Sequence, residues 1–199
     1  MREMNPETIQ IELLGPYALY GPHSLFLQSE SEKFGIYLWT IPFEGKYLVY
    51  YVGETGVTFA DRFLDHTKSY LHGLYRIYDP TEFVKGKKKL VWEGMWKKEL
   101  ENPTIRIVKF MERYSELSRA VYELLGLFHI FLIPLNSNRR IRQRIEAKIA
   151  EVLLKQPGVI GDFQDGDIRY IGRQPKEEPI KVSIKSDGQI LGLPKDLMS

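Results

Sequence analysis

Two short apolar runs separated by a turn dominate the first quarter of the chain. Residues 34–41 and 47–53 read as strands, and Pro42-Phe43-Glu44-Gly45-Lys46 reads as the hairpin loop that makes them antiparallel neighbours. Strand side chains alternate faces, so Gly35, Tyr37, Trp39 and Ile41 are expected on one face of the first strand. Tyr47, Val49, Tyr51 and Gly53 are expected together on one face of the second. Beyond Thr58, a fitting N-cap, the period becomes helical and runs to about His72, with Gly73 as its stop. The apolar stripe of that helix is Phe59, Phe63 and Tyr70, widened on one side by Ala60, Leu64 and Leu71. Arg62 and His66, one turn apart, sit at its other edge.

The flanking segments are less periodic. Residues 8–13 alternate as a strand should, then Gly15-Pro16 and Gly21-Pro22 break the pattern, so 1–33 reads as an N-terminal arm. Residues 74–113 carry Asp79-Pro80, Gly86, Gly94 and Asn102-Pro103 and read as an insertion with short elements of its own, Trp92 and Trp96 packing its small core. A helix over 115–125 and an apolar strand over 128–135 follow, and Asn136-Ser137-Asn138 caps a helix over 139–155. The last helix buries Ile141, Ile145, Ile149 and Val152, with Glu146 beside that stripe. After Pro157 the chain is loop-rich, and 181–184 and 189–193 flank Asp187-Gly188 as a terminal hairpin. The order predicts an α+β fold, a mixed sheet with helices packed on it: an arm (1–33), a main domain (34–157) and a C-terminal extension (158–199).

Composition narrows the setting. The 199 residues are 43% hydrophobic and 13% aromatic, which suffices for a core and argues against general disorder. A net charge of +2 gives no global basic field, so a nucleic-acid partner would rely on local patches. The absence of cysteine excludes disulfides and thiolate metal sites and suits a reducing cytoplasm. The longest apolar stretch, 124–135, contains His129 and Pro134 and is too short to span a membrane; the N-terminus has no apolar h-region, which points away from secretion.

Either strand tyrosine alone reads as an ordinary half-buried aromatic, and Glu146 alone as a solvated rim carboxylate. Their ordered combination says more. Gly35-Ile36-Tyr37, thirteen intervening residues, Tyr51-Val52-Gly53-Glu54-Thr55, then Arg62, His66 and a later helical Glu146 resemble the GIY-YIG nuclease superfamily, over roughly residues 34–73 and 114–155. That superfamily includes phage homing endonucleases, the incision subunit of nucleotide-excision repair and some type II restriction enzymes. The resemblance implies a small, mainly antiparallel three-stranded sheet flanked by helices. It also implies a divalent-metal-dependent endonuclease acting on DNA with Mg²⁺ or Mn²⁺.

In that reading Tyr37 is the general base, helped toward the phenolate by a nearby Mg²⁺ and Arg62, and Tyr51 orients the water or bonds the scissile phosphate. Arg62 holds a non-bridging oxygen, His66 is a phosphate donor or proton shuttle, and Glu146 is the sole protein ligand of one metal ion. Val52 stands where isoleucine is usual, and the asparagine many members carry beyond the last helix is absent from Lys155-Gln156-Pro157-Gly158-Val159-Ile160. A second literal match, Tyr170-Ile171-Gly172, precedes no helix with Arg and His and is set aside.

Two basic runs are candidate phosphate contacts: Lys85, Lys87, Lys88 and Lys89 in the insertion, and Arg139, Arg140, Arg142 and Arg144 on the last helix. Restriction enzymes usually dimerise to cut both strands, so a homodimer on DNA is a further expectation. The alternative is a catalytically inactive nucleic-acid-binding module of the same fold.

Overall fold

The computed structural model describes residues 7–95, 102–186 and 188–199. Its centre is a four-stranded antiparallel sheet in the order β2-β7-β3-β4, built from β2 (Leu14–Tyr17), β7 (His129–Pro134), β3 (Gly35–Phe43) and β4 (Lys46–Thr55). The general α+β class expected from the sequence is present, but the central sheet has four strands where three were expected. The extra strand comes from the presumed arm: Gly15-Pro16 lies inside β2, bonded to β7, instead of ending a strand.

One sheet face packs against α1 (Phe59–Leu71) and α4 (Tyr114–Leu127). The other carries α5 (Arg139–Leu154) and a second sheet, β1-β8-β9, formed by β1 (Glu7–Glu12), β8 (Ile180–Lys185) and β9 (Asp196–Met198). Local signals explain the long helices. Thr58 Oγ1 accepts from the Asp61 amide at 3.1 Å, and Asn138 Oδ1 from the Ile141 amide at 2.9 Å, each satisfying an N–H that the helix cannot. On α5, Ile145, Ile149 and Leu153 are fully buried, each contributing roughly 1.5–3 kcal/mol by removal from water.

Three expectations change. First, β3 and β4 shift register between Trp39/Tyr51 and Thr40/Val49, a bulge that leaves Tyr50 as an extra residue. Tyr50 and Tyr51 therefore both belong to the α1-side core with Tyr37, while Tyr47 and Val49 turn to the α5 side. Second, the insertion, in its described residues, shares the core of the central sheet. Its β5 (Ile77–Tyr78), α2 (Pro80–Phe83), β6 (Leu90–Trp92) and α3 (Pro103–Glu112) contribute Ile77, Phe83, Trp92 and Phe110 to the α1-side core. Trp92 is a packing residue, its Nε1 donating to the Gly73 carbonyl at 2.7 Å; Trp96 lies outside the described residues. Third, β8 pairs with β1 in parallel and with β9, so 189–193 is no hairpin partner of 181–184. It runs instead beside β4, where the Tyr47 amide donates to the Gln189 carbonyl at 2.8 Å and the Leu191 amide to the Tyr47 carbonyl at 2.9 Å.

β4 is an edge strand, and the C-terminal extension covers it. Besides the contacts at Tyr47, Gln164 Nε2 donates to the Val49 carbonyl at 2.6 Å, the Asp165 amide to Tyr50 at 2.8 Å, and the Tyr170 hydroxyl to Val52 at 3.1 Å. These bonds occupy groups that would otherwise template pairing with another chain. The loop that makes them includes α6 (Val159–Phe163), whose Phe163 is fully buried.

The two motif glycines have distinct backbone reasons. Gly35 has φ +152, and a Cβ there would lie 2.2 Å from the Ile133 carbonyl oxygen of β7. Gly53 is paired with Tyr37, and a Cβ there would meet the phenol at 2.4–2.7 Å. Tyr37 is fully buried and has no room to retreat. Gly53→Ala is therefore expected to destabilise the chain by roughly 1–3 kcal/mol through overpacking. Equilibrium urea unfolding checks this, and an unchanged midpoint would refute the close approach.

Candidate functional site

The β3–β4 hairpin and α1 meet around one hydroxyl. Tyr37, from the centre of β3, sends its phenol under α1, where Arg62 Nε donates to its oxygen at 3.0 Å and His66 Nε2 lies at 2.9 Å. His66 Nδ1 is 3.1 Å from the hydroxyl of Tyr75, in the segment after α1. Four side chains thus form one hydrogen-bonded series: Arg62, Tyr37, His66 and Tyr75. Arg62 and His66 reach it together because residues four apart share a helix face. Tyr51 joins from β4, its ring centroid 6.0 Å from that of Tyr37.

The buried flank of α1 is the one bearing His66, at 4% exposure, whereas Leu64 and Leu71, expected to widen the stripe, are 45% and 48% exposed. The aromatic ring of Phe63 and the imidazole fill the space against Tyr37 and Trp39, with centroids 5.0–5.9 Å apart.

Burial governs protonation here. It raises the Tyr37 hydroxyl well above 10, more than Arg62 lowers it, so with Arg62 alone beside it Tyr37 is a neutral phenol. Burial, then the positive charge of Arg62, lowers His66 to about 3, leaving a neutral imidazole with one donor and one acceptor nitrogen. Arg62 itself is half-buried and forms no salt bridge among the described residues.

Glu146, on α5, stands at the far side of this group. Burial and the neighbouring Glu54 carboxylate raise it to about 7, with the Glu54 backbone, Arg62 and Arg139 acting in the opposite direction. It also raises the hydroxyls of Tyr51 and Tyr170, which places its charge next to both. Glu54 is anchored by Arg139 and Arg142, each 3.3 Å away. A half-buried carboxyl repelled by a second carboxylate suits a divalent cation, which would relieve both penalties. Glu146 would hold it, with Glu54 alongside; no cluster of three or more metal-ligating side chains exists among the described residues, and Mg²⁺ tolerates such sparse protein ligation.

A cavity of about 430 Å³ opens beside the series. Tyr51, Arg62, His66 and Tyr75 line it, together with Trp39, Tyr50, Tyr70, Arg76, Glu93 and Asp165. Neither Tyr37 nor Glu146 is part of its wall. Tyr37 lies behind Arg62 and His66, and Glu146 couples to the cavity through the charge of Arg62 and the hydroxyl of Tyr51.

Of the five residues singled out from the sequence, Tyr37, Tyr51, Arg62 and His66 form one contiguous group, and Glu146 adjoins it electrostatically. Glu54, Tyr75, Asp165 and Tyr170 were missed. Tyr170 belongs to the discarded second tripeptide and approaches Tyr51 and Glu146 only because its loop covers the β4 edge. The basic runs are partly spent inside the molecule. Arg140 grips Glu177 with two bonds of 2.6 Å, Arg142 is buried against Glu54, and Arg144 bonds the Glu178 and Ser199 carbonyls, so these three help hold the fold together. Lys88 donates to the Gln164 carbonyl at 2.5 Å, Lys85 pairs with Glu82 and Lys89 with Asp79. Lys87 and Arg139 remain well exposed.

Comparison with protein-family models, curated proteins and solved structures finds no match. Among the described residues no helix is long and apolar enough to cross a membrane.

The raised carboxyl has a consequence for stability. Glu146 ionises near 7 when folded and near its ordinary 4.5 when unfolded, so between those values the folded chain holds the extra proton. Stability must then fall as pH rises through that window. The cost is on the order of 1–2 kcal/mol once partial exposure is allowed for. Glu146→Gln is expected to remove this decline, as followed by denaturant unfolding at several pH values. Parallel stability curves for the two proteins would contradict the assignment.

Proposed function

We propose that this chain is a divalent-metal-dependent endonuclease that hydrolyses DNA phosphodiester bonds at a GIY-YIG-like site. The observation that carries the reading is Arg62: a half-buried guanidinium whose Nε is fixed on Tyr37, with no neutralising carboxylate in contact among the described residues. An unneutralised planar cation at a cavity wall is a receptor for a phosphate, which its remaining N–H groups can grip as a fork. Glu146, whose charge is costly without a cation nearby, supports the same reading from the opposite side.

The roles differ in one respect from those the resemblance implies. Tyr37 is held neutral and away from the cavity, so it acts as a positioning residue that locks Arg62 and His66. Tyr51 faces the cavity and orients the attacking water. The neutral imidazole of His66, bonded on both sides to tyrosine hydroxyls, fixes Tyr75 at the cavity wall, and the proton leaving that water passes to solvent in the open cavity. A bound Mg²⁺ or Mn²⁺ supplies charge neutralisation at the phosphate and a more acidic water. Action in the cytoplasm fits the cysteine-free chain, and cutting both strands would call for two copies on the duplex.

The alternative, a nucleic-acid-binding module without activity, draws on the complete burial of the Tyr37 hydroxyl. Incubation of supercoiled plasmid with Mg²⁺ or with EDTA separates the two. We expect nicking in Mg²⁺ alone, its loss in Glu146→Ala, and a fall of roughly 10²–10³-fold in Arg62→Ala, the usual effect of deleting one transition-state donor. A salt-sensitive gel shift without any cleavage would favour the alternative. Normal cleavage by both variants would remove these residues from the mechanism.

A further inference from the structure

The cavity beside Arg62 is far larger than one phosphate requires. At about 430 Å³ it falls in the range of pockets that enclose an organic ring system. Its inner wall is mostly flat: Trp39, Tyr51 and Tyr75 line it with two further tyrosines, and Leu74 and Ile168 are its only aliphatic side chains among the described residues. Its rim bears Arg76, ion-paired with Asp165 and Asp167, and also Glu93, 3.7 Å from Arg106.

We propose that this cavity receives a nucleobase turned out of the duplex next to the phosphate held by Arg62. The inference rests on the nuclease reading for which phosphate Arg62 holds. Aromatic walls attract any base by stacking, which needs no sequence-specific contact. Rim carboxylates suit the exocyclic amino groups of adenine, cytosine or guanine, which donate. Asp165 and Asp167 are taken up by Arg76 and Glu93 by Arg106, so beyond Arg62 the described residues of the space offer no spare positive charge for a second phosphate, which favours a neutral ring over a nucleotide polyphosphate. Arg62, His66 and Tyr75 belong both to the cavity wall and to the hydrogen-bonded series, so a base inside would sit next to the reacting group. Extrusion is easiest for a base that is already unpaired. The chain should therefore favour mismatched or distorted DNA.

Fluorescence anisotropy of the full chain in EDTA tests this without cleavage, using labelled duplexes that are fully paired or carry one mismatch. We expect the mismatched duplex to bind about tenfold or more tightly. Ile168→Trp, at an exposed rim position, should obstruct the cavity and bring both duplexes to similar affinity, with an unchanged unfolding temperature. Equal affinities for the wild-type chain, or a preference that survives Ile168→Trp, would overturn the proposal. Plasmid cleavage in Mg²⁺, measured separately, distinguishes the two readings. Mismatch preference without cleavage keeps the base pocket and defeats the nuclease reading, and cleavage without preference does the reverse.

Discussion

A phenol hydroxyl sealed from water sets the terms for the rest of this structure. Tyr37 is fully buried, and a buried hydroxyl without partners costs on the order of 1–3 kcal/mol. Its partners must come from α1, because β3 is flanked by strands on both edges and its neighbour across the register is a bare glycine. Arg62 and His66 meet that need, and in doing so dock the helix on the sheet at one fixed rotation. The exposure of Leu64 and Leu71 follows from the same constraint: the helix turns its polar pair inward and leaves two leucines in water.

The charges around this hydroxyl fall into two kinds. Arg140 and Arg142 are paired with carboxylates, Arg144 donates through its Nη2 to two carbonyls, and the three tie α5 to the C-terminal extension and to β4. Arg62 and Glu146 are not satisfied in that way. One is a cation bonded, among the described residues, to a neutral phenol; the other is a carboxyl raised by burial and by Glu54. Groups left in this condition reduce stability, and their juxtaposition across Tyr51 is what gives the region a chemical character.

The segment after α5 links stability to that chemistry. By bonding the carbonyls of Val49, Tyr50 and Val52, it closes the edge of β4. The same stretch carries Asp165, Asp167 and Ile168 to the mouth of the cavity. The bulge at Tyr50 turns one additional aromatic ring to that side, so the shape of the cavity depends on a local irregularity of β4 as much as on α1.

Much of this was legible in the chain because it is governed by near neighbours. The hairpin of β3 and β4, the capped starts of α1 and α5, and the pairing of Arg62 with His66 all follow from periodicity, capping and four-residue spacing. What the sequence alone could not decide depends on residues far apart. Alternation along 47–53 put Tyr47 and Val49 beside Tyr51, but the bulge reverses them, since a single inserted residue flips every later side chain. Residues 7–12 and 180–185 have no local sign of their parallel pairing, and nothing near Tyr170 announces that it belongs beside Glu146. Protonation is the clearest case. Glu146, His66 and Tyr37 have ordinary affinities for protons as isolated residues, and only the dry space created when sheet, helix and C-terminal loop close on them moves those affinities apart.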